Sequence, residues 1–156
     1  MSGKVNPIAK GHHSVTPMLM VRGAEEEIDF LKQAFGATER ERHAAPDGTI
    51  LHAEVQIGDS IIMLGEAKGD CQPTMASLYL YVPDVDKTYQ RAVRAGAKPE
   101  MELEDQFWGD RSGSVTDPAG NRWWIATHKE DVSAGELKRR AEKFMAEHQA
   151  EHKKAA

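Results

Sequence analysis

Met18-Leu19-Met20-Val21 returns about 60 residues later as Tyr79-Leu80-Tyr81-Val82, and the segments after each copy keep the same order. Each run reads as a short strand that passes a polar break into a helical pattern. The first helix is expected from near Glu25, with Ile28, Leu31 and Phe35 on one face. The second is expected from Asp86, a residue type that caps helices, with Tyr89 and Val93 on its stripe. Gly36-Ala37 and Gly96-Ala97 end them; a glycine just past the last turn takes a positive φ at the least steric cost.

Three β-like segments come after each helix, over 38–43, 50–57 and 60–64 in the first copy and 98–101, 112–116 and 122–127 in the second. Asp47-Gly48 and Gly58-Asp59 mark turns, and Asp117-Pro118-Ala119-Gly120-Asn121 places proline and glycine for a tight reversal. Each half therefore reads β-α-β-β-β. A unit of about 50–65 residues is marginal alone. Two of them, over 14–66 and 76–128, can bury one face of each sheet and share a cavity. The expectation is an α+β domain over 14–132 made of two tandem βαβββ modules.

The ends read differently. Residues 1–13, with His12-His13, lack periodicity and are expected to form a mobile arm. Ser133 and Glu136 have capping-box spacing, and Leu137, Ala141, Phe144 and His148 succeed them at helical intervals, which predicts a helix over 134–150. Its apolar stripe is thin, fit for docking on the body or on a partner chain. Within the C-terminal segment 133–156, the last residues Lys153-Lys154-Ala155-Ala156 are expected to fray.

Composition bounds the partners. A chain of 156 residues with 40% hydrophobic and 29% charged residues fits one globular domain, and excludes collagen-like, wholly disordered and disulfide-scaffold classes. The net charge is −5, and the basic run Lys138-Arg139-Arg140 lies among Glu136, Glu142 and Glu147, so no nucleic-acid partner is expected. No stretch reaches the roughly 20 apolar residues that span a bilayer, and no membrane partner is expected. The first ten residues lack the apolar run of a secretory signal, and the single Cys71 cannot close a disulfide within the chain. A cytoplasmic protein is expected.

The paired units, the Asp117–Asn121 turn, and the runs 105–111 and 124–128 resemble the vicinal oxygen chelate superfamily. That group includes glyoxalase I, bleomycin-resistance proteins, fosfomycin-resistance enzymes and extradiol dioxygenases. Together with His52-Ala53-Glu54 and Ile57-Gly58-Asp59-Ser60, the runs are similar to its PhnB-like, glyoxalase-like subgroup. The resemblance spans residues 14–132. It implies curved mixed sheets around a shared cleft, a small-molecule ligand in that cleft, and a homodimer.

In catalytic members of the superfamily, His, Glu or Gln side chains at matching strand positions hold a divalent metal that acts as a Lewis acid. Counting from the repeat and the turns puts those positions at Thr16, Ile62, Ser77 and Trp124. None is His, Glu or Asp; Ser and Thr are poor ligands alone, and Ile and Trp are none. No cofactor is therefore expected at the usual place, and a divalent metal only at a displaced one. His52 and Glu54, two apart on a strand, face the same way and form either a ligand pair, a base with its orienting partner, or a plain ion pair.

The run Gln106-Phe107-Trp108-Gly109-Asp110-Arg111 has two readings. Phe107 and Trp108 either lid a cavity or fill core, and Arg111 either clamps a carboxylate or phosphate of the substrate or braces the loop with Asp110. Ser77, Tyr79 and Trp124 are expected as a cavity wall, with a core role as the alternative. Two functions stay open. One is a protein that binds a small molecule between its modules through Ser77, Tyr79, Phe107, Trp108 and Trp124. The other is a metal-assisted lyase, isomerase or dioxygenase-type enzyme using His52, Glu54 and Arg111.

Overall fold

A computed structural model of the chain describes residue 3 and residues 5–155. Module 1 contains β1 (Met18–Val21), α1 (Ala24–Phe35), β2 (Thr38–Ala44), β3 (Ile50–Ile57) and β4 (Ser60–Glu66). Module 2 contains β5 (Ser77–Tyr81), α2 (Val85–Arg94), β6 (Lys98–Asp105), β7 (Asp110–Thr116) and β8 (Arg122–His128). A terminal helix, α3 (Ala134–Lys154), completes the chain. Each module forms one mixed sheet, ordered β1-β4-β3-β2 and β5-β8-β7-β6, with the first strand parallel to the last and the other pairs antiparallel.

Alternation along the strands sends one set of side chains toward the helices. Leu19, Val21, Ala53, Val55, Ile62 and Leu64 meet α1 residues Ile28 and Leu31, and Val115, Trp123 and Ile125 continue the same buried cluster in module 2. The principal contact between modules runs through α1 and α2. Phe35 reaches Trp123 at a ring distance of 4.9 Å, and Arg91 donates to the Gln33 carbonyl at 3.2 Å. Each large apolar side chain buried there contributes about 1.5–3 kcal/mol.

Gly36 ends α1 at φ 66° as expected. The α2 cap lies earlier than Asp86: the Asp84 carboxylate accepts from the Lys87 N–H at 3.1 Å, and the helix opens at Val85. β6 and β7 are longer than the sequence suggested, which shrinks the loop between them to residues 106–109. α3 also runs past its expected end, through Lys154; Ala156, like Met1, Ser2 and Lys4, lies outside the described residues.

At the seam, the Asp117 carboxylate organises its own turn. It accepts from the N–H groups of Ala119 and Asn121 at 3.0 and 2.8 Å and from Trp123 Nε1 at 2.8 Å. Glu27 of α1 is fully buried, and neither of its carboxyl oxygens has a hydrogen-bond partner. Burial, and then the neighbouring Asp117, push the Glu27 carboxyl up to about 10, so it is protonated at neutral pH.

Candidate functional site

Each sheet has a second face, turned away from the helices, and the two faces carry different chemistry. In module 2 the strand register places Tyr79 opposite Trp124, and Asp110 opposite His128, on that face. Asp110 is the hub, with a side chain only 2% exposed. Its Oδ2 accepts from the Tyr79 and Tyr81 hydroxyls at 2.8 and 2.9 Å and from Trp108 Nε1 at 3.1 Å. Its Oδ1 accepts from His128 Nδ1 at 2.8 Å.

Burial opposes ionisation of Asp110, but the four donors outweigh it and hold the carboxyl below its ordinary value. His128 also donates from Nε2 to the exposed Asp131 at 2.8 Å. Both partners are acceptors only, so the imidazolium satisfies both ring nitrogens, and those bonds, Asp110 first, raise the His128 pKa. The tyrosine hydroxyls are held as donors: burial and Asp110 raise Tyr79, and Asp110 then burial raise Tyr81. With their polar edges committed to Asp110, Tyr79, Tyr81 and Trp108 still expose ring surface.

The Phe107–Trp108 turn is clamped. Lys129 and Glu130 donate their N–H groups to the Gly109 carbonyl at 2.9 and 3.1 Å. Gly109 sits at φ 101°, and a Cβ there would lie 2.2 Å from the Glu130 carbonyl oxygen, so only glycine fits. Phe107 packs on Trp108 and on Phe144 of α3, with ring centroids 5.0 and 5.2 Å apart. Arg140 of α3 pairs with Glu130 at 2.9 Å. The turn thus holds Trp108 in place, and α3 supports it.

Module 1 presents His52 and Glu54 together, as their spacing required. The Glu54 Oε1 atom accepts from His12 Nε2 at 3.0 Å, and His52 Nε2 lies 3.6 Å from the same oxygen. The His12 and Glu54 side chains are nearly buried. The arm expected to be mobile is therefore docked here through His12, and Gly11 lies against Arg40 and Ile61. No sequence signal announces this contact, because it joins positions far apart in the chain.

The usual metal positions do not suit a metal. Thr16 donates its hydroxyl to the His13 carbonyl, Ile62 turns into the core, and Ser77 and Trp124 lie on the module 2 face. Met63 holds the face position beside Glu54 that the count gave to Ile62. Among the described residues no group of three or more His, Cys, Asp or Glu side chains is arranged to hold an ion. Arg111 does not join the aromatic residues. Strand alternation turns it to the helix side, where it donates to both Asp86 oxygens at 3.1 and 3.0 Å and lies 3.5 Å from Asp105.

The sequence model of the glyoxalase/bleomycin resistance protein/dioxygenase superfamily matches residues 11–125. The chain belongs to that superfamily. It is 36% identical over 135 residues to the uncharacterized protein Mb0911c of Mycobacterium bovis, covering 80% of this chain and 89% of that one. Among solved structures it is similar to TioX from Micromonospora, with 26% identity, 78% and 100% coverage and a TM-score of 0.63. A PhnB protein of Bacillus cereus, at 20% identity with 74% and 99% coverage and a TM-score of 0.61, shares the fold. The superfamily and its PhnB-like relatives are thus those the sequence motifs pointed to.

Proposed function

We propose that this superfamily member binds a small molecule on the open face of module 2, with Tyr79, Trp108 and Trp124 as its seat and Ser77 and Phe107 at its margins. The observation that carries the reading is that the part-exposed rings of Tyr79, Tyr81 and Trp108 all turn their polar edges onto one buried carboxylate, Asp110, with Trp124 placed beside Tyr79 by strand register. Such an arrangement fixes aromatic surfaces before any ligand arrives, which lowers the ordering cost of binding. Arg111 is no part of this seat. The side chains at Thr16, Ile62, Ser77 and Trp124 include no His, Glu or Asp and do not fit the superfamily's metal.

The same reading makes the protein a cytoplasmic homodimer. The modules of one chain join through their helices, while Met18, Tyr79, Tyr81 and Met101 remain exposed and available for cover from outside. The exposed free thiol of Cys71 suits a reducing compartment. Light scattering is expected to show a dimer at micromolar concentration, and a 17.3 kDa particle would contradict it.

Trp108→Ala tests the seat. Affinity for a neutral aromatic probe, 1-naphthylmethanol, is expected to fall by about 1–3 kcal/mol; unchanged affinity would remove Trp108 from the site. A second reading rests on the His12–Glu54–His52 cluster, which places a carboxylate between two imidazoles as a base and its orienting partner would be placed. On that reading, His52→Ala lowers turnover of a discovered substrate at least ~100-fold. A smaller loss takes His52 out of the chemistry.

A further inference from the structure

With Arg111 turned to the helix side and His128 committed to Asp110 and Asp131, Arg122 is a cation of the module 2 face without an ion pair among the described residues. The ion pairs of the described arginines use Arg42, Arg111, Arg139 and Arg140, and Arg122 joins none of them. Its place is set by register. Arg122 opens β8 directly between Ser77 of β5 and Thr116 of β7, so three neighbouring strands present hydroxyl, guanidinium and hydroxyl in one row. These three residues, with Met75, Ala76 and Gly120, line a depression of about 400 Å³.

The row continues straight into the aromatic seat. Two residues along each strand, Tyr79 stands opposite Trp124 on the same face. The buried Asp110 carboxylate is far from the row, opposite His128 at the other end of β8, about 20 Å away by strand rise. Glu100 lies beside the row: it accepts the Thr116 hydroxyl proton at 3.0 Å and lies 3.8 Å from Lys98 Nζ, which leaves the guanidinium of Arg122 and the hydroxyl of Ser77 as the row's donors to a ligand. A planar guanidinium with two parallel N–H donors and no carboxylate of its own suits the oxygens of a carboxylate or phosphate.

We propose that Arg122, flanked by Ser77 and Thr116, is the anion-holding end of the module 2 face, and that the ligand is an aromatic molecule bearing a carboxylate or phosphate. This rests on the aromatic seat proposed above. The ring lies against Tyr79 and Trp124 and the oxyanion meets the guanidinium.

Calorimetric titration of the full chain with 1-naphthoate, 1-naphthyl phosphate and neutral 1-naphthylmethanol tests it, using wild type, Arg122→Lys and Arg122→Met. Arg122 is exposed, so both variants are expected to melt with the wild type. At least one anion is expected to bind about 10-fold tighter than the alcohol, with the advantage reduced in Arg122→Lys and gone in Arg122→Met. The anion with the larger gain names the group. Equal binding of all three compounds to wild type, or an advantage that survives Arg122→Met, overturns the proposal and leaves the aromatic seat standing. If none of the three binds, the seat falls as well.

Discussion

The two modules use one recipe of strand, helix and three strands, and present opposite surfaces. Module 1 carries part of the chain's own arm on its open face, His12 lying on Glu54 beside His52. Module 2 leaves its face uncovered and stiffens it from below, with Asp110 collecting two tyrosines, a tryptophan and a histidine. Residues that fill the core between sheet and helices are apolar in both copies, and so that pattern repeats. Residues facing outward answer to no such demand and have diverged, which is where a difference in role can be written.

The sharpest test of that contrast removes each carboxylate in turn. Asp110→Ala strands four donors and is expected to cost about 3–4 kcal/mol. Glu54→Ala, which loses one histidine partner at hydrogen-bond distance, is expected to cost about 1–2 kcal/mol. Urea unfolding of the two variants checks the ranking, and equal losses would show that Asp110 does no more for its module than Glu54 does for its own. Hydrogen exchange adds a qualitative readout, since Glu54→Ala should release residues 9–13 and Asp110→Ala should not.

The seam offers a second test, of opposite sign. The folded-state pKa of Glu27 is raised from 4.5 to about 10, so the folded state binds its proton more tightly than the unfolded chain. That contribution is fully present below pH 4.5 and is lost as pH rises toward 10. Glu27→Gln keeps the neutral shape and is expected to stabilise the chain by on the order of 2–3 kcal/mol at pH 7. It should also flatten the pH dependence between pH 5 and 9. Chemical denaturation across that range reads both effects, and a destabilised variant would show that the carboxyl is held by partners instead.

The smallest effect concerns protons alone. NMR titration is expected to place His128 above the ordinary 6.5, and Asp110→Asn should bring it back toward that value. The His128–Asp110 attraction is thus present at low pH and is lost as pH rises through the raised pKa. An unmoved His128 in Asp110→Asn would shift the cause to Asp131.

Much of the architecture is legible in the sequence because it obeys short-range rules. The two Gly-Ala helix ends, the Asp117–Asn121 turn and the period of the apolar residues name the elements and their order. Several site residues are within reach for the same reason: Ser77, Tyr79 and Tyr81 face one way by strand alternation, as do His52 and Glu54. The rest depends on register or on distance along the chain. With β7 begun at Ser112 instead of Asp110, Arg111 reads as a loop residue free to clamp a ligand, whereas the true start turns it onto Asp86. Arg122 carries no local signal, because only the pairing of β5, β8 and β7 sets it between Ser77 and Thr116. The hold of His12 on Glu54 spans 42 positions, beyond any local pattern.

On the function proposed above, the ligand sits on the aromatic face of module 2 and not on the His–Glu face of module 1. NMR mapping of the 156-residue chain with 1-naphthylmethanol distinguishes the two faces. Saturable shifts are expected at the indole of Trp108, the ring of Tyr79 and the indole of Trp124, with His52 and the backbone of Glu54 unmoved. Shifts centred on His52 and Glu54, or none at the module 2 rings, would contradict it.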